Sequence, residues 1–274
     1  IGDLARMTIM GALLNTVFAI PLVYFFGEDG VVPSLIAVAL TSWVAAQWYG
    51  RKIVLPKVSL AWTDFTEETR QLLQLGFAFM ASGLLTAGAA FLIRILVVQH
   101  EGVDAAGNYQ AAWALGGIYV GFILQAMGTD FYPRLSAVAQ DNFECNSMVN
   151  EQARVSILLA APGLLGTLAL SPVIMTLFYS AQFADAVPLL RWFCLGMLLR
   201  VVAWPMGFII LAKGVRQMFF WTELAAAVVQ VGLTWLLLPV VGLMGAGIAF
   251  AALYIWHGLL IYYLVRRLSG FRWT

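Results

Sequence analysis

Stretches of about twenty apolar residues, separated by short polar breaks, recur along the whole of this 274-residue chain. They fall at 6–26, 31–50, 72–98, 106–129, 155–178, 187–211, 217–238 and 244–265. At about 1.5 Å of rise per residue, each can cross a hydrocarbon layer roughly 30 Å thick. A chain in such a layer must satisfy its own backbone polar groups, and a helix does so within one segment. The pattern predicts an all-α polytopic membrane protein with about eight transmembrane helices. Pro21, Pro162, Pro172 and Pro205 fall inside these stretches, where each frees a backbone carbonyl and permits a kink.

Two of the polar breaks are long. In the first, Asp64-Phe65-Thr66-Glu67 has capping-box spacing, which predicts a short amphipathic helix on the membrane surface ahead of the third span. The second, between Arg134 and Arg154, mixes Ala137, Val138 and Phe143 with polar residues and reads as a connection that extends the fourth span and begins the fifth.

Charge gives the ladder a direction. Of the fifteen basic residues, twelve lie in alternate breaks and at the two ends: Arg6; Arg51, Lys52, Lys57 and Arg70; Arg134 and Arg154; Lys213 and Arg216; Arg266, Arg267 and Arg272. The intervening breaks carry Glu28 and Asp29, Glu101 and Asp104, Asp185, or no charge. Under the positive-inside rule this alternation fits eight crossings with both ends cytoplasmic. Several tryptophans, among them Trp43, Trp48, Trp221 and Trp273, cluster towards span ends as interfacial anchors do.

With 62% hydrophobic and 11% charged residues, the composition excludes a soluble domain. The net charge of +1 reflects topology rather than affinity for nucleic acid, so no nucleic-acid partner is expected. Cys145, in a break, and Cys194, in a span, suggest neither a disulfide nor a metal site. No P-loop, paired-cysteine motif or metal-ligating histidine spacing occurs, and His100 and His257 lie on different spans. No cofactor is implied and the chain reads as a non-enzyme. A membrane glycan polymerase or ligase, the alternative enzyme class, would be expected to expose a large outer loop, and the outer breaks here are short. A scaffold or assembly protein is a further alternative. The chain opens Ile1-Gly2-Asp3-Leu4, without an initiator methionine or a signal-peptide n-region, and is expected to lack its N-terminal part.

A weak internal repeat is present. The first two spans show a turn at Gly30, small residues, Trp43 and then Arg51-Lys52; the last two show a turn at Gly242, small residues, Trp256 and then Arg266-Arg267. Their separation of six spans suits a parallel repeat of six helices.

The stretch Gly107-Asn108-Tyr109-Gln110-Ala111-Ala112-Trp113 through Phe131-Tyr132-Pro133-Arg134-Leu135-Ser136 resembles the polysaccharide transporters of the multidrug/oligosaccharidyl-lipid/polysaccharide flippase superfamily, the group that contains O-antigen translocases. Phe183, Arg191-Trp192, Pro205-Met206-Gly207-Phe208 and Leu211-Ala212-Lys213-Gly214 are similar to the family's pattern at the corresponding place. The resemblance implies two six-helix lobes around a central cavity. On that template 1–50 supplies the last two helices of a first lobe, 51–71 a cytoplasmic connection with the amphipathic helix, and 72–274 the whole second lobe. It further implies a flippase that carries a polyprenyl-pyrophosphate-linked oligosaccharide across a bacterial cytoplasmic membrane, with membrane lipids and glycan polymerase machinery as partners. A drug/cation antiporter of the same superfamily is the alternative; it would favour acids within the spans, and Glu223 is the only deep one.

Candidate residues follow from polarity inside the spans. A cation at the centre of a span costs at least about 2.5 to 3.5 kcal/mol, so Arg200, between Leu199 and Val201, should face protein or a watery cavity. There it could hold a diphosphate through two parallel hydrogen bonds, or pair with Glu223 on the next span. Arg94, in Leu92-Ile93-Arg94-Ile95, either serves the cavity or snorkels to the headgroups. Arg191 reads as interfacial. Asn108, Tyr109, Gln110, Tyr119 and Gln125 place hydroxyls and amides along the fourth span, for sugars or for interhelical hydrogen bonds. Asp130 and Arg134, at the inner end of that span, are gate or lobe-terminus candidates, or a simple ion pair. His257 reads as packing.

Overall fold

A computed structural model describes residues 2–51 and 62–274. Every regular element among them is helical. Eight helices are long and apolar enough to cross a membrane, and the chain is a multi-pass membrane protein. Lys52 and Lys57 of the first inner break lie outside the described residues.

The chain divides into two compact units, 1–68 and 69–274. The first contains a helical hairpin, α1 (Gly2–Phe26) and α2 (Val31–Gly50), joined by one 3-10 turn, Gly27–Gly30. Gly30 is dictated by space, because a Cβ there would sit 2.1 Å from the carbonyl oxygen of Leu22. Across the hairpin the Thr41 hydroxyl donates to Asn15 Oδ1.

The second unit holds most of α3 (Trp62–Glu101), then α4 (Val103–Ala126), a π-turn (Met127–Phe131), α5 (Tyr132–Ala137), α6 (Asn142–Ala169), α7 (Ser171–Phe178), α8 (Val187–Ala212), α9 (Arg216–Val241) and α10 (Met244–Ser269). Its axis is α8, which packs on α4, α6 and α10. Lipid tails are as apolar as leucine, so packing and backbone approach, rather than the hydrophobic effect, hold such helices together. Gly196 and Gly247 provide that approach. A Cβ on Gly196 would meet the Phe250 ring at 2.4 Å, and one on Gly247 would meet Trp192 Cβ at 2.7 Å. The ring of Phe250 fills the space beside Gly196 and stands edge-on to Phe193 and Trp113, at 5.5 and 5.2 Å. The unit is also tied at its ends. Asn146 donates to the Ser269 carbonyl at 2.8 Å and Asn150 to that of Arg272 at 3.0 Å, which folds the tail after α10 onto α6 with Phe271 fully buried.

The expected surface helix ahead of the third span falls partly outside the described residues; among those described, α3 begins at Trp62 and continues into the span, with Asp64 in its first turn. As expected of a connection that extends the fourth span and begins the fifth, most of the break between Arg134 and Arg154 is helical. The true turn is 138–141, and the Asp141 carboxylate stops it by accepting from the backbone N–H groups of Phe143 and Glu144 at 2.8 and 3.1 Å. Cys145 is therefore a buried residue of α6, not a loop residue. The fifth span divides at Leu170, where Pro172, in the first turn of α7, starts a new helix instead of kinking one.

Candidate functional site

The site is built where α8 is least well filled. Arg200 lies midway along α8, and Trp204 follows one turn later on the same face. The Arg200 guanidinium carbon stands 4.7 Å from the Trp204 ring centre and 5.7 Å from that of Tyr254 on α10. Two aromatic faces thus hold the cation by its π surface and leave the edge of the fork unspent. Arg200 Nε, Trp204 Nε1 and both imidazole nitrogens of His257 are buried without a hydrogen-bond partner among the described residues. Arg200 and Glu223 make no direct ion pair there.

Three cavities meet at this pair of side chains. A small one of about 110 Å³, enclosed by α3, α8, α9 and α10, is lined by Arg200, Trp204, Glu223, Gln230, Tyr254 and His257 among others. A larger one of about 610 Å³ is bounded by Trp113, Trp204, Phe208, Phe219, Tyr254 and Glu223. A third of about 590 Å³ lies between α4 and α8, with Gln125, Trp113, Met197, Arg200 and Trp204 on its walls. Trp204 lines all three, and Arg200 faces the first and third. The joint site offers one fixed cation, one carboxylate across a small gap and a wall of aromatic faces. It can hold an anionic group by charge and fork geometry, and sugar rings or organic cations by stacking.

Of the residues singled out by polarity, this arrangement brings together Arg200, Glu223 and Gln125. The others lie elsewhere. Tyr109 is 4% exposed, lies parallel to Trp113 and stands edge-on to Phe193, so its ring is core. Tyr119 turns outward and donates to the Leu159 carbonyl on α6, while its ring occupies the space beside Gly163. Gln110 is exposed and Asn108 half-buried near the start of α4. Arg94 is exposed on α3. Asp130 and Arg134 form an ion pair at 3.2 Å, one helical turn apart and both largely exposed. Arg191 donates to the buried Ser171 hydroxyl at 2.8 Å and so joins α8 to α7.

Trp204, Tyr254, His257 and Gln230 were not among the polar candidates. Each is unremarkable in its own helix, and only the packing of α8, α9 and α10 assembles them. The segments Phe131-Tyr132 and Pro205-Met206-Gly207-Phe208 also meet. Phe208 stands 5.9 Å from Phe131 and 5.6 Å from Tyr132, ring centre to ring centre. Nearby, Lys213 Nζ donates to the Ala139 carbonyl at 2.9 Å and to Asn142 Oδ1 at 2.6 Å. These motifs form a structural clasp between α8 and the α5–α6 turn.

A sequence model of the family described as "Polysaccharide biosynthesis protein" matches residues 2–188. By structure, the chain is similar to MATE in the straight conformation (TM-score 0.84, 16% identity, 97% of this chain and 62% of that one). It is also similar to the outward-facing conformation of a multidrug resistance MATE family transporter of the MOP superfamily (0.80, 16%, 97% and 62%). The inward-facing conformation of such a transporter is similar as well (0.76, 17%, 97% and 63%). The chain therefore spans under two thirds of the length of these structures, and at such identity the likeness shows the fold alone. No curated protein matches the chain.

Proposed function

The chain belongs to the polysaccharide biosynthesis protein family, and from that membership we propose that it works in a flippase. The cargo is a polyprenyl-pyrophosphate-linked oligosaccharide, carried across a bacterial cytoplasmic membrane by alternating access. The observation that carries this reading is Arg200: a cation in mid-span, held by two aromatic faces and adjoining cavities, without a protein carboxylate in direct contact. A diphosphate presents paired oxygens that suit the free edge of a guanidinium, and the aromatic walls suit sugar rings. No bond is made or broken. The cost of desolvating the diphosphate is offset only while the cavity holds it, which is the differential affinity a carrier needs.

In this reading 1–50 contributes the last two helices of a first lobe, 51–71 the connection and 72–274 the second lobe. Both ends are cytoplasmic, and Asp130 and Arg134 lie at the inner end, where they serve as a gate latch. Cells depleted of the intact protein are expected to accumulate a finished lipid-linked repeat unit on the inner face of the membrane. A truncated sugar unit, or a finished one stranded unpolymerised on the outer face, would point instead to an enzyme. A second reading draws on the cavity of about 610 Å³, whose aromatic walls and Glu223 carboxylate suit an organic cation. It requires that depletion raise sensitivity to cationic drugs and leave glycan export unchanged.

A further inference from the structure

On the far side of the small Arg200 cavity, α3 and α9 leave an open apolar groove of about 530 Å³. Leu84, Leu85, Gly88, Ala89 and Leu92 form one wall; Leu224, Ala227, Val228, Val231, Gly232 and Trp235 form the other. No charged side chain lines it. Two of its glycines border open space, since a Cβ added at Gly88 or Gly232 meets nothing within 4 Å.

The groove and the polar cavity share a wall. Ala89 on α3 and Ala227 on α9 line both. At about 100° per residue, α9 presents Glu223, Ala226 and Gln230 to the cavity and Leu224, Val228 and Val231 to the groove, with Ala227 at the boundary between the two faces. On α3, Thr86 faces the cavity, Leu85, Gly88 and Leu92 face the groove, and Ala89 stands between. Ala89 and Ala227 therefore stand between an apolar channel, about 16 Å long along α9, and the cavity that Arg200 lines.

We propose that this groove holds the polyprenyl chain of the lipid-linked glycan while its diphosphate lies at Arg200, so that the α3–α9 gap is the lateral opening through which the tail stays in the membrane as the head crosses. The inference rests on the flippase reading above and adds where the tail goes. Depth selects this occupant over a bulk phospholipid. A phospholipid keeps its head at the interface, whereas this groove adjoins a cation midway along a spanning helix, which only a head in transit can reach. Transfer of a tail from lipid to an apolar groove gains packing but no hydrophobic free energy. The groove alone therefore retains nothing, and occupancy depends on the head being held at Arg200.

The test places a photoreactive benzoylphenylalanine at Val228 of the intact protein, with a control at the exposed Leu158 on α6. The protein is reconstituted in nanodiscs of phosphatidylethanolamine and phosphatidylglycerol. One arm adds an alkyne-tagged polyprenyl diphosphate bearing a single sugar, the other an alkyne-tagged phosphatidylethanolamine. Position 228 is expected to capture the polyprenyl probe in preference to the phospholipid, and position 158 to show no preference. Arg200→Ala is expected to reduce capture at 228 about tenfold, the loss of a charge-assisted contact. Gly232→Leu, which fills open space and raises helix propensity, should leave the protein folded while removing capture and glycan export together. Equal capture of both probes at 228, or cross-linking there to protein alone, overturns the assignment. So does full export with the groove filled, and in that case the flippase reading stands; export that survives depletion of the whole protein brings down the flippase reading itself.

Discussion

Helix α8 carries two regions of opposite character within two turns. Around Gly196 the backbone approaches α10 so closely that no side chain fits, and the rings of Phe193 and Phe250 fill the remaining space. Around Arg200 and Trp204 the neighbouring helices stand off and leave cavities into which unpartnered polar atoms point. A soluble protein could drive both regions together by burying apolar surface. In a bilayer, cohesion has to come from contact, so the tight region fixes the helices while the loose one keeps buried polar atoms without protein partners. The tight and the loose region thus share one face of α8, on successive turns.

Filling the tight region is expected to have the largest effect. Gly196→Leu and Gly247→Leu force atoms into occupied space and should each cost about 3 kcal/mol or more, seen as loss of inserted protein and a collapsed thermal midpoint in detergent. Gly88→Leu, beside open space, should leave that midpoint nearly unchanged. Similar midpoints for all three proteins would erase the contrast between the two regions.

A smaller effect separates a ligand cation from a structural one. Because Arg200 and Glu223 line one small cavity without touching, Glu223→Gln should cost about 1 kcal/mol or less, and the coupling between Arg200→Leu and Glu223→Leu should stay well below the roughly 3 kcal/mol expected of a direct buried ion pair. Export should stay absent in the double mutant. Export regained there would make Arg200 a partner of Glu223 and remove it from the site.

The smallest expected change concerns the tail. Asn150→Ala deletes the donor to the Arg272 carbonyl and the acceptor for the Thr274 N–H, at a cost of about 1 to 2 kcal/mol. It should speed hydrogen exchange at 270–274 while export continues. Unchanged exchange would mean that burial of Phe271, not the asparagine, holds the tail.

The eight helices were legible in the sequence because a membrane span must be continuous, apolar and about twenty residues long, and alternating charge marks its ends. Arg200 was legible for the same reason: a lone cation in an apolar run has to be accommodated. Tyr109 shows where that logic stops. A hydroxyl on a span was equally consistent with sugar binding and packing, and only its burial against Trp113 and Phe193 makes the ring core. His257 was set aside as packing, yet it lines the Arg200 cavity, because the rotation of α10 against α8 is fixed by Gly196 and Gly247 and not by anything local to position 257. Cys145 was read as a loop residue because the carboxylate of Asp141, which caps α6, stands among other polar residues that do not cap.

The most direct test of Arg200 as the diphosphate anchor is translocation itself. The intact protein is reconstituted in vesicles with a fluorescent polyprenyl-diphosphate sugar, and an impermeant quencher reports the share that reaches the outer leaflet. With the native residue, fluorescence initially protected on the inside should become quenchable over time. Arg200→Ala should leave it protected although the protein remains folded, and Arg200→Lys should restore only part of the rate, because lysine keeps the charge but lacks the two-pronged fork. Transport by Arg200→Ala at the native rate would contradict the account.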